Sequence, residues 1–248
     1  MKRVSVIGAG SWGTALAVLL AHNGHEVTIW SHDPYEIEML STKREQADKL
    51  PGVKLPENVK VSSDMEESLK GMDVVVMAVP SPVVRSVAKQ MAPSISDGQI
   101  IVNVAKGIED ETYMTLTDII EEEIPNAEVC VLSGPSHAEE VGRGIPTTVV
   151  VGSKKKEVAE LLQDVFMNEV FRVYTNPDII GIELGGALKN VIALAAGTTD
   201  GLGFGDNTKA ALMTRGIAEL TRLGVALGGK PETFSGLTGI GDLIVTCT

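Results

Sequence analysis

The chain has 248 residues, of which 44% are apolar, and a formal net charge of −12, so it can bury a substantial core as one large or two modest domains. The acidic balance argues against nucleic acid and anionic membrane surfaces as partners, and an anionic small ligand would need a locally positive pocket. The two cysteines, Cys130 and Cys247, lie far apart and fit a reducing, cytoplasmic compartment, and no run nears about 18 uninterrupted apolar residues, so no membrane insertion is expected.

Val4-Ser5-Val6-Ile7 is short, apolar and β-branched. Gly8-Ala9-Gly10-Ser11-Trp12-Gly13 follows at once, then small apolar residues from Thr14 to Ala21 and a second β-branched run from His25 to Trp30. Strand, glycine turn, helix, strand is the opening of a βαβ unit that holds a dinucleotide. Gly8 permits the tight turn, Gly10 lets backbone approach a pyrophosphate, and Gly13 lets the helix pack close to the strand. The helix beginning near Ser11 directs its free N–H groups at that pyrophosphate. No signal peptide is expected, because the apolar stretch after Lys2-Arg3 is broken by glycines and is better explained by the βαβ unit. In NAD-preferring folds an acid about 20 residues past the turn holds the ribose hydroxyls. Here Trp30 is followed by Ser31-His32-Asp33-Pro34, and His32 can face a 2′-phosphate, which tilts the cofactor towards NADP over NAD. Asp33, before a proline, reads as a turn or cap residue, and His22 and His25 read as solvated.

Tyr35 to Ala47 is expected to be helical, Pro51 to Pro56 irregular, and Val59 to Val61 a short strand. Ser62-Ser63-Asp64 offers caps for a helix through Leu69. Met72 to Val79 is a continuous apolar strand, as a parallel sheet buried on both faces requires, and Val79-Pro80-Ser81-Pro82 ends it at the edge where ligands lie. Val83 to Met91 has helical spacing. Gln99 to Val104 is a strand feeding Ala105-Lys106-Gly107, and Thr112 to Glu123 is a helix ending in a solvated Glu run. Glu128 to Leu132 is a strand followed by Ser133-Gly134-Pro135-Ser136-His137-Ala138. Cys130, inside it, reads as a small buried hydrophobe. Thr147 to Val151 is a further strand, Lys154-Lys155-Lys156 a solvated start to the helix Val158 to Phe166, and Val170 to Tyr174 the last strand. This alternation makes residues 1–176 an α/β, doubly wound parallel Rossmann sheet. Beyond Asn176 the pattern becomes helical, through Asp178 to Ala196 and Asn207 to Leu227, while Leu243 to Val245 fits either state. Residues 177–248 are therefore expected to be a partial all-α second domain.

Three polar sites fall where a nicotinamide could be met. Lys106 follows a strand at the sheet's carboxyl edge, as do Gly134 and Ser136. Lys189 sits inside an apolar helix, directly before Asn190. Gly185-Gly186 lies one turn earlier, and each glycine disfavours a helix interior by about 1 kcal/mol, so something must approach the backbone closely there. A lysine in such a dry site, near a second lysine, would have its pKa lowered and could serve as a general acid or base. Ser235-Gly236-Leu237-Thr238-Gly239-Ile240-Gly241-Asp242 reads either as a tight turn or as a phosphate cradle, with Asp242 a good N-cap. No metal is assigned a role.

These motifs together resemble the bacterial type of NAD(P)-dependent glycerol-3-phosphate dehydrogenase. The resemblance rests on Gly-Ala-Gly-Ser-Trp-Gly at 8–13, Ala-Lys-Gly at 105–107, Ser-Gly-Pro-Ser at 133–136, Leu-Gly-Gly-Ala-Leu-Lys-Asn at 184–190 and Gly-Ile-Gly-Asp-Leu at 239–243, leading to Thr246-Cys247. It implies reversible hydride transfer between NAD(P)H and dihydroxyacetone phosphate, giving sn-glycerol 3-phosphate for phospholipid synthesis. It further implies that Lys189 is the general acid and that Lys106 contacts both cofactor and substrate. Gly134, Ser136, Asn190, Asp242 and Thr246 match substrate-side positions, and Ser11, Trp12, His32 and Ala138 match cofactor-side positions.

Relatives of that type continue past the Thr-Cys stretch into an Arg-Asn pair that holds the substrate phosphate, whereas this sequence stops at Thr248. The expectation is cofactor binding with poor turnover, and exposed apolar helix faces that favour self-association, with a homodimer as the candidate assembly. Two rival readings stand beside this one: a related hydroxy-acid dehydrogenase, which would want different groups around Lys189, and a non-catalytic NADP-binding module.

Overall fold

A computed structural model describes residues 1–248. Eight strands form one sheet in the order β3-β2-β1-β4-β5-β6-β7-β8. They are β1 (Arg3–Ile7), β2 (Glu26–Trp30), β3 (Lys60–Ser62), β4 (Val74–Met77), β5 (Ile100–Asn103), β6 (Glu128–Ser133), β7 (Thr147–Gly152) and β8 (Phe171–Asn176). Helices α1 (Ser11–His22), α2 (Pro34–Lys43), α3 (Met65–Leu69), α4 (Val84–Met91), α5 (Leu116–Glu123), α6 (Ala138–Gly142) and α7 (Lys156–Phe166) connect them. Side chains alternate across the central strands. Val4, Val6, Val74, Val76 and Val102 face one core, with α1, while Ile7, Val75, Met77 and Ile101 face the other, with α4 and α5. Each such fully buried side chain contributes about 1.5–3 kcal/mol. The strand order reverses between β1 and β4, whose carboxyl ends therefore flank a crevice.

Several expectations need correction. The sheet is not wholly parallel: β7 runs antiparallel to β6, with Leu132 opposite Val151. The link from Ser133 to Thr147 carries only the five-residue helix α6 and brings the chain back alongside β6 in the opposite direction. The stretch from Thr112 is not helical until Leu116. Residues 108 and 115 close a small loop by a β-bridge, and Tyr113 sits at φ 59°, which no helix accommodates. Helix α2 stops at Lys43 because Arg44 turns left-handed at φ 50°. The Glu run is more than a solvated face, since Glu122 and Glu123 join Glu109 around the Arg85 guanidinium. His25 is buried: its Nδ1 accepts from the Lys2 amide at 3.2 Å, and Nε2 donates to the Val165 carbonyl at 2.9 Å.

After Asn176 the chain is helical, through α8 (Ile179–Gly201), α9 (Asp206–Ala226), α10 (Pro231–Phe234), a π-helical turn (Leu237–Gly241) and α11 (Asp242–Cys247). The ambiguous run at Leu243 is therefore helix. Asp178 caps α8 by accepting from the Gly181 amide at 3.1 Å. Its other oxygen takes the Lys230 amide at 2.8 Å and the Thr233 hydroxyl at 2.6 Å, tying α10 to the start of α8. Helix α8 is long and apolar enough to cross a membrane by length and composition alone, but half of its most apolar stretch is buried inside the protein. It packs on β6 and against α9 and α11. Glu183 on α8 reaches across to α5, where its carboxylate accepts both the amide and the hydroxyl of Thr117.

Candidate active site

The crevice at the carboxyl ends of β1 and β4 has a volume of about 660 Å³, a size typical of small-molecule sites. Gly8, Gly10, Ser11, Trp12, His32, Lys106 and Ser136 all line it. Gly8 adopts φ +116°, a left-handed turn in which a Cβ would lie 2.7 Å from the Ala78 carbonyl oxygen. At Gly13 a Cβ would lie 2.0 Å from the Gly8 carbonyl oxygen, so this glycine serves the packing of α1 on the turn. Gly10 has nothing within 4 Å of where a Cβ would sit, and no side chain caps α1. The first-turn amides thus point into open space beside a bare backbone, which is the donor set a pyrophosphate requires. The residues present fit a dinucleotide.

At its Lys106 wall the crevice adjoins a cluster in which two lysines share one carboxylate, and of the three only Lys106 lines the crevice itself. Lys189 Nζ lies 2.5 Å from Asp242 Oδ1, and Lys106 Nζ lies 2.6 Å from Asp242 Oδ2. Lys106 also donates to the Gly134 carbonyl at 3.0 Å, and Lys189 to the Thr246 hydroxyl at 2.7 Å. Asp242 is 1% exposed and Lys189 7% exposed, so these charges meet in a nearly dry setting. Burial, assisted by the Lys189 charge and opposed by Asp242, lowers the Lys106 pKa to about 8. Two ammonium groups on one carboxylate leave local positive charge in a chain that is acidic overall, as an anionic ligand requires.

The glycine pair in α8 explains how the cluster assembles. A Cβ on Gly185 would lie 2.3 Å from the Thr238 carbonyl oxygen, so the π-helical turn rests directly on the helix backbone. A Cβ on Gly186 would lie 3.0 Å from Ser133 Oγ and 3.4 Å from the Lys106 stem. Asp242 then leaves the turn already in helical conformation (φ −70°, ψ −31°), and Gly241, not Asp242, occupies the N-cap of α11. Its carboxylate is committed to the lysines, which corrects the capping expectation.

Ser136 Oγ donates to the Gly134 carbonyl at 3.0 Å, beside Lys106. Ala138 is buried at the first turn of α6, where that helix packs on α1, and it does not line the crevice. Asn190 is exposed and makes no side-chain hydrogen bond with the cluster. Asp33 caps α2 by accepting from the Tyr35 amide at 2.9 Å. The sequence reading overlooked Glu36 and Lys49, which line the far end of the crevice beside Ser31 and His32. The ribose-binding acid is expected directly after β2. Glu36 lies instead in the first turn of α2, a position whose inward aim is visible only once the helix is placed.

Two family models match this chain: the N-terminal part of NAD-dependent glycerol-3-phosphate dehydrogenase over residues 3–159, and its C-terminal part over residues 178–248. The NAD(P)+ glycerol-3-phosphate dehydrogenase of Agathobacter rectalis is 64% identical over 247 residues, and that of Fusobacterium nucleatum 61% identical over 249 residues. Each match takes in 100% of this chain and 74% of the relative. The crystal structure of glycerol-3-phosphate dehydrogenase from Coxiella burnetii is similar with a TM-score of 0.96 at 38% identity, covering 100% of this chain and 76% of that one. The yeast enzyme gives 0.87 at 29% identity, with 99% and 77% covered.

Proposed function

The chain belongs to the NAD-dependent glycerol-3-phosphate dehydrogenase family, and from that premise we propose how its residues carry the reaction: reversible reduction of dihydroxyacetone phosphate by NAD(P)H to sn-glycerol 3-phosphate, with Lys189 protonating the carbonyl oxygen. The chain is an oxidoreductase. The observation that carries the assignment of Lys189 is the pairing of its ammonium with the same buried carboxylate that holds Lys106, a residue lining the dinucleotide crevice.

The nicotinamide cofactor supplies the hydride when bound. Lys189 holds the proton at Nζ. An ammonium has three N–H bonds. Lys189 directs one to Asp242 and one to Thr246, which leaves one for a substrate oxygen. Lys106 likewise gives one to Gly134 and one to Asp242 and keeps one free. Asp242 thus fixes both amines and aims their remaining donors. Lys189 transfers its proton as negative charge grows on the carbonyl oxygen, and Lys106 offers a second cation to that charge. In the reverse direction neutral Lys189 accepts the alcohol proton. Gly134 and Ser136 supply polar backbone and hydroxyl groups beside Lys106, and Thr246 and Asn190 extend the substrate side.

In this proposal residues 1–176 hold the dinucleotide, residues 177–248 shape the substrate side, and the chain works in the cytoplasm, in keeping with two free, buried cysteines. Exposed Val191, Leu194, Leu202, Phe204, Leu223 and Leu227 on and beside α8 and α9 support association into a homodimer. The test of the reaction is NADPH oxidation with a substrate panel. Dihydroxyacetone phosphate is the expected oxidant. Faster turnover with a 2-oxo acid would move the chain to the hydroxy-acid reading, and cofactor binding with no turnover of any substrate would favour a binding module.

A further inference from the structure

The far end of the crevice holds a second shared carboxylate. Glu36 is 7% exposed. Its Oε2 accepts from Ser31 Oγ at 2.5 Å, and its Oε1 from Lys49 Nζ at 2.6 Å and Gln46 Nε2 at 3.2 Å. Gln46 Nε2 also donates to the Ala9 carbonyl at 2.8 Å, which ties this corner to the glycine turn itself. The backbone around Lys49 is fixed, because Gln46 and Leu50 on either side are fully buried and the Leu50 amide donates to the Gln46 carbonyl at 2.8 Å. Lys49 itself is different: its side chain is 56% exposed, and Glu36 is its one ion-pair partner.

This corner lies just past β2, where the adenosine ribose of a dinucleotide rests in such sheets. A bare carboxylate here would accept the ribose hydroxyls and repel a 2′-phosphate. Glu36 is not bare: three donors hold it, and one of them is a cation whose side chain is largely exposed to the crevice and solvent. His32 and Asp33 line the same end, so Lys49 is the ammonium available to a phosphate there.

We propose that Lys49 is the specificity-determining residue for the phosphorylated cofactor: its ammonium leaves Glu36 for the 2′-phosphate of NADP(H) and stays on Glu36 when NAD(H) is bound. Glu36 is the positioning residue. Ser31 and Gln46 keep two hydrogen bonds on it in either state, so moving Lys49 does not strand a naked carboxylate. The pair lets one crevice take both cofactors, and it places the discrimination beyond β2, on Glu36 and Lys49, in addition to His32. The inference rests on the dinucleotide reading of the crevice.

The test is equilibrium binding, read from the fluorescence of NADPH and NADH separately, on the wild-type chain, Lys49→Met and Lys49→Arg. One charge-assisted hydrogen bond corresponds to about a tenfold or greater change in affinity. The Kd for NADPH is expected to rise at least about tenfold in Lys49→Met, with the Kd for NADH within about twofold of wild type. Lys49→Arg retains the preference. Adenosine 2′,5′-bisphosphate displaces NADH from the wild type and fails to do so from Lys49→Met. Equal effects on both cofactors, or none on either, would overturn the proposal. Failure of the wild type to bind either nucleotide would overturn the dinucleotide reading itself, and retained NADH binding in Lys49→Met shows that the variant is folded.

Discussion

Glu183→Gln isolates the junction between the sheet and the helical region. In the wild type the Glu183 carboxylate is buried against the first turn of α5, where it accepts from Thr117 N at 3.0 Å and from the Thr117 hydroxyl. Burial raises its pKa from 4.5 to about 7, and the Thr117 donors oppose that rise without cancelling it. Between those two values the folded chain binds a proton that the unfolded chain releases. Stability from this group is therefore fullest below about pH 4.5 and falls as pH rises to about 7, beyond which it is level. At 1.36 kcal/mol per pKa unit, the loss has a ceiling of ~3 kcal/mol. The amide introduced by Glu183→Gln keeps an acceptor for the Thr117 N–H and cannot ionise, so the variant does not incur this loss. Urea unfolding of both proteins at several values between pH 4.5 and 8 measures it. The gap between wild type and variant should shift in favour of the variant by up to ~3 kcal/mol across that window. A gap independent of pH would refute the argument that burial, rather than the Thr117 donors, controls this carboxylate.

Gly10→Val and Gly13→Ala separate the two tasks of the glycine turn. Gly10→Val meets open space, so its melting temperature should match wild type while cofactor affinity falls; equal cofactor affinity would remove the pyrophosphate reading. Gly13→Ala forces a Cβ onto the Gly8 carbonyl and should lose on the order of 1–3 kcal/mol of stability even without cofactor, as measured by denaturant unfolding. Lys106, whose pKa is lowered to about 8, loses its charge as pH rises through that value, so the KM for a phosphorylated substrate should climb between pH 7 and pH 9. The KM of Lys106→Met should be high and flat over the same range; a flat wild-type profile would contradict the assignment.

The sequence made the dinucleotide half largely readable because its signals are local. The glycines of 8–13 carry their geometry with them, and the runs of β1, β4 and β5 are apolar because both faces are buried. The reversal of β7 was hidden because it depends on the path the chain takes after β6, not on the composition of a strand. His25 looked like a surface residue because its partner, the Val165 carbonyl, lies 140 positions away. The same distance problem governs the lysine–carboxylate cluster. Lys189 and Lys106 could each be suspected from a helix or a strand end, but Asp242 lies 53 positions from one and 136 from the other. Nothing local to Gly241-Asp242-Leu243 distinguishes a helix cap from a carboxylate shared by two lysines. The Gly185-Gly186 pair was the one local sign that another segment docks there, and it does, through Thr238.

The most direct test of the account is single-turnover reduction of dihydroxyacetone phosphate by Lys189→Met beside a titration of its NADPH affinity. A positioned acid contributes about 10²–10⁴-fold, so the hydride-transfer rate should fall by at least about 100-fold while the NADPH Kd stays within about twofold of wild type. A rate within about tenfold of wild type, with the cofactor bound normally, would contradict the central claim that this ammonium delivers the proton.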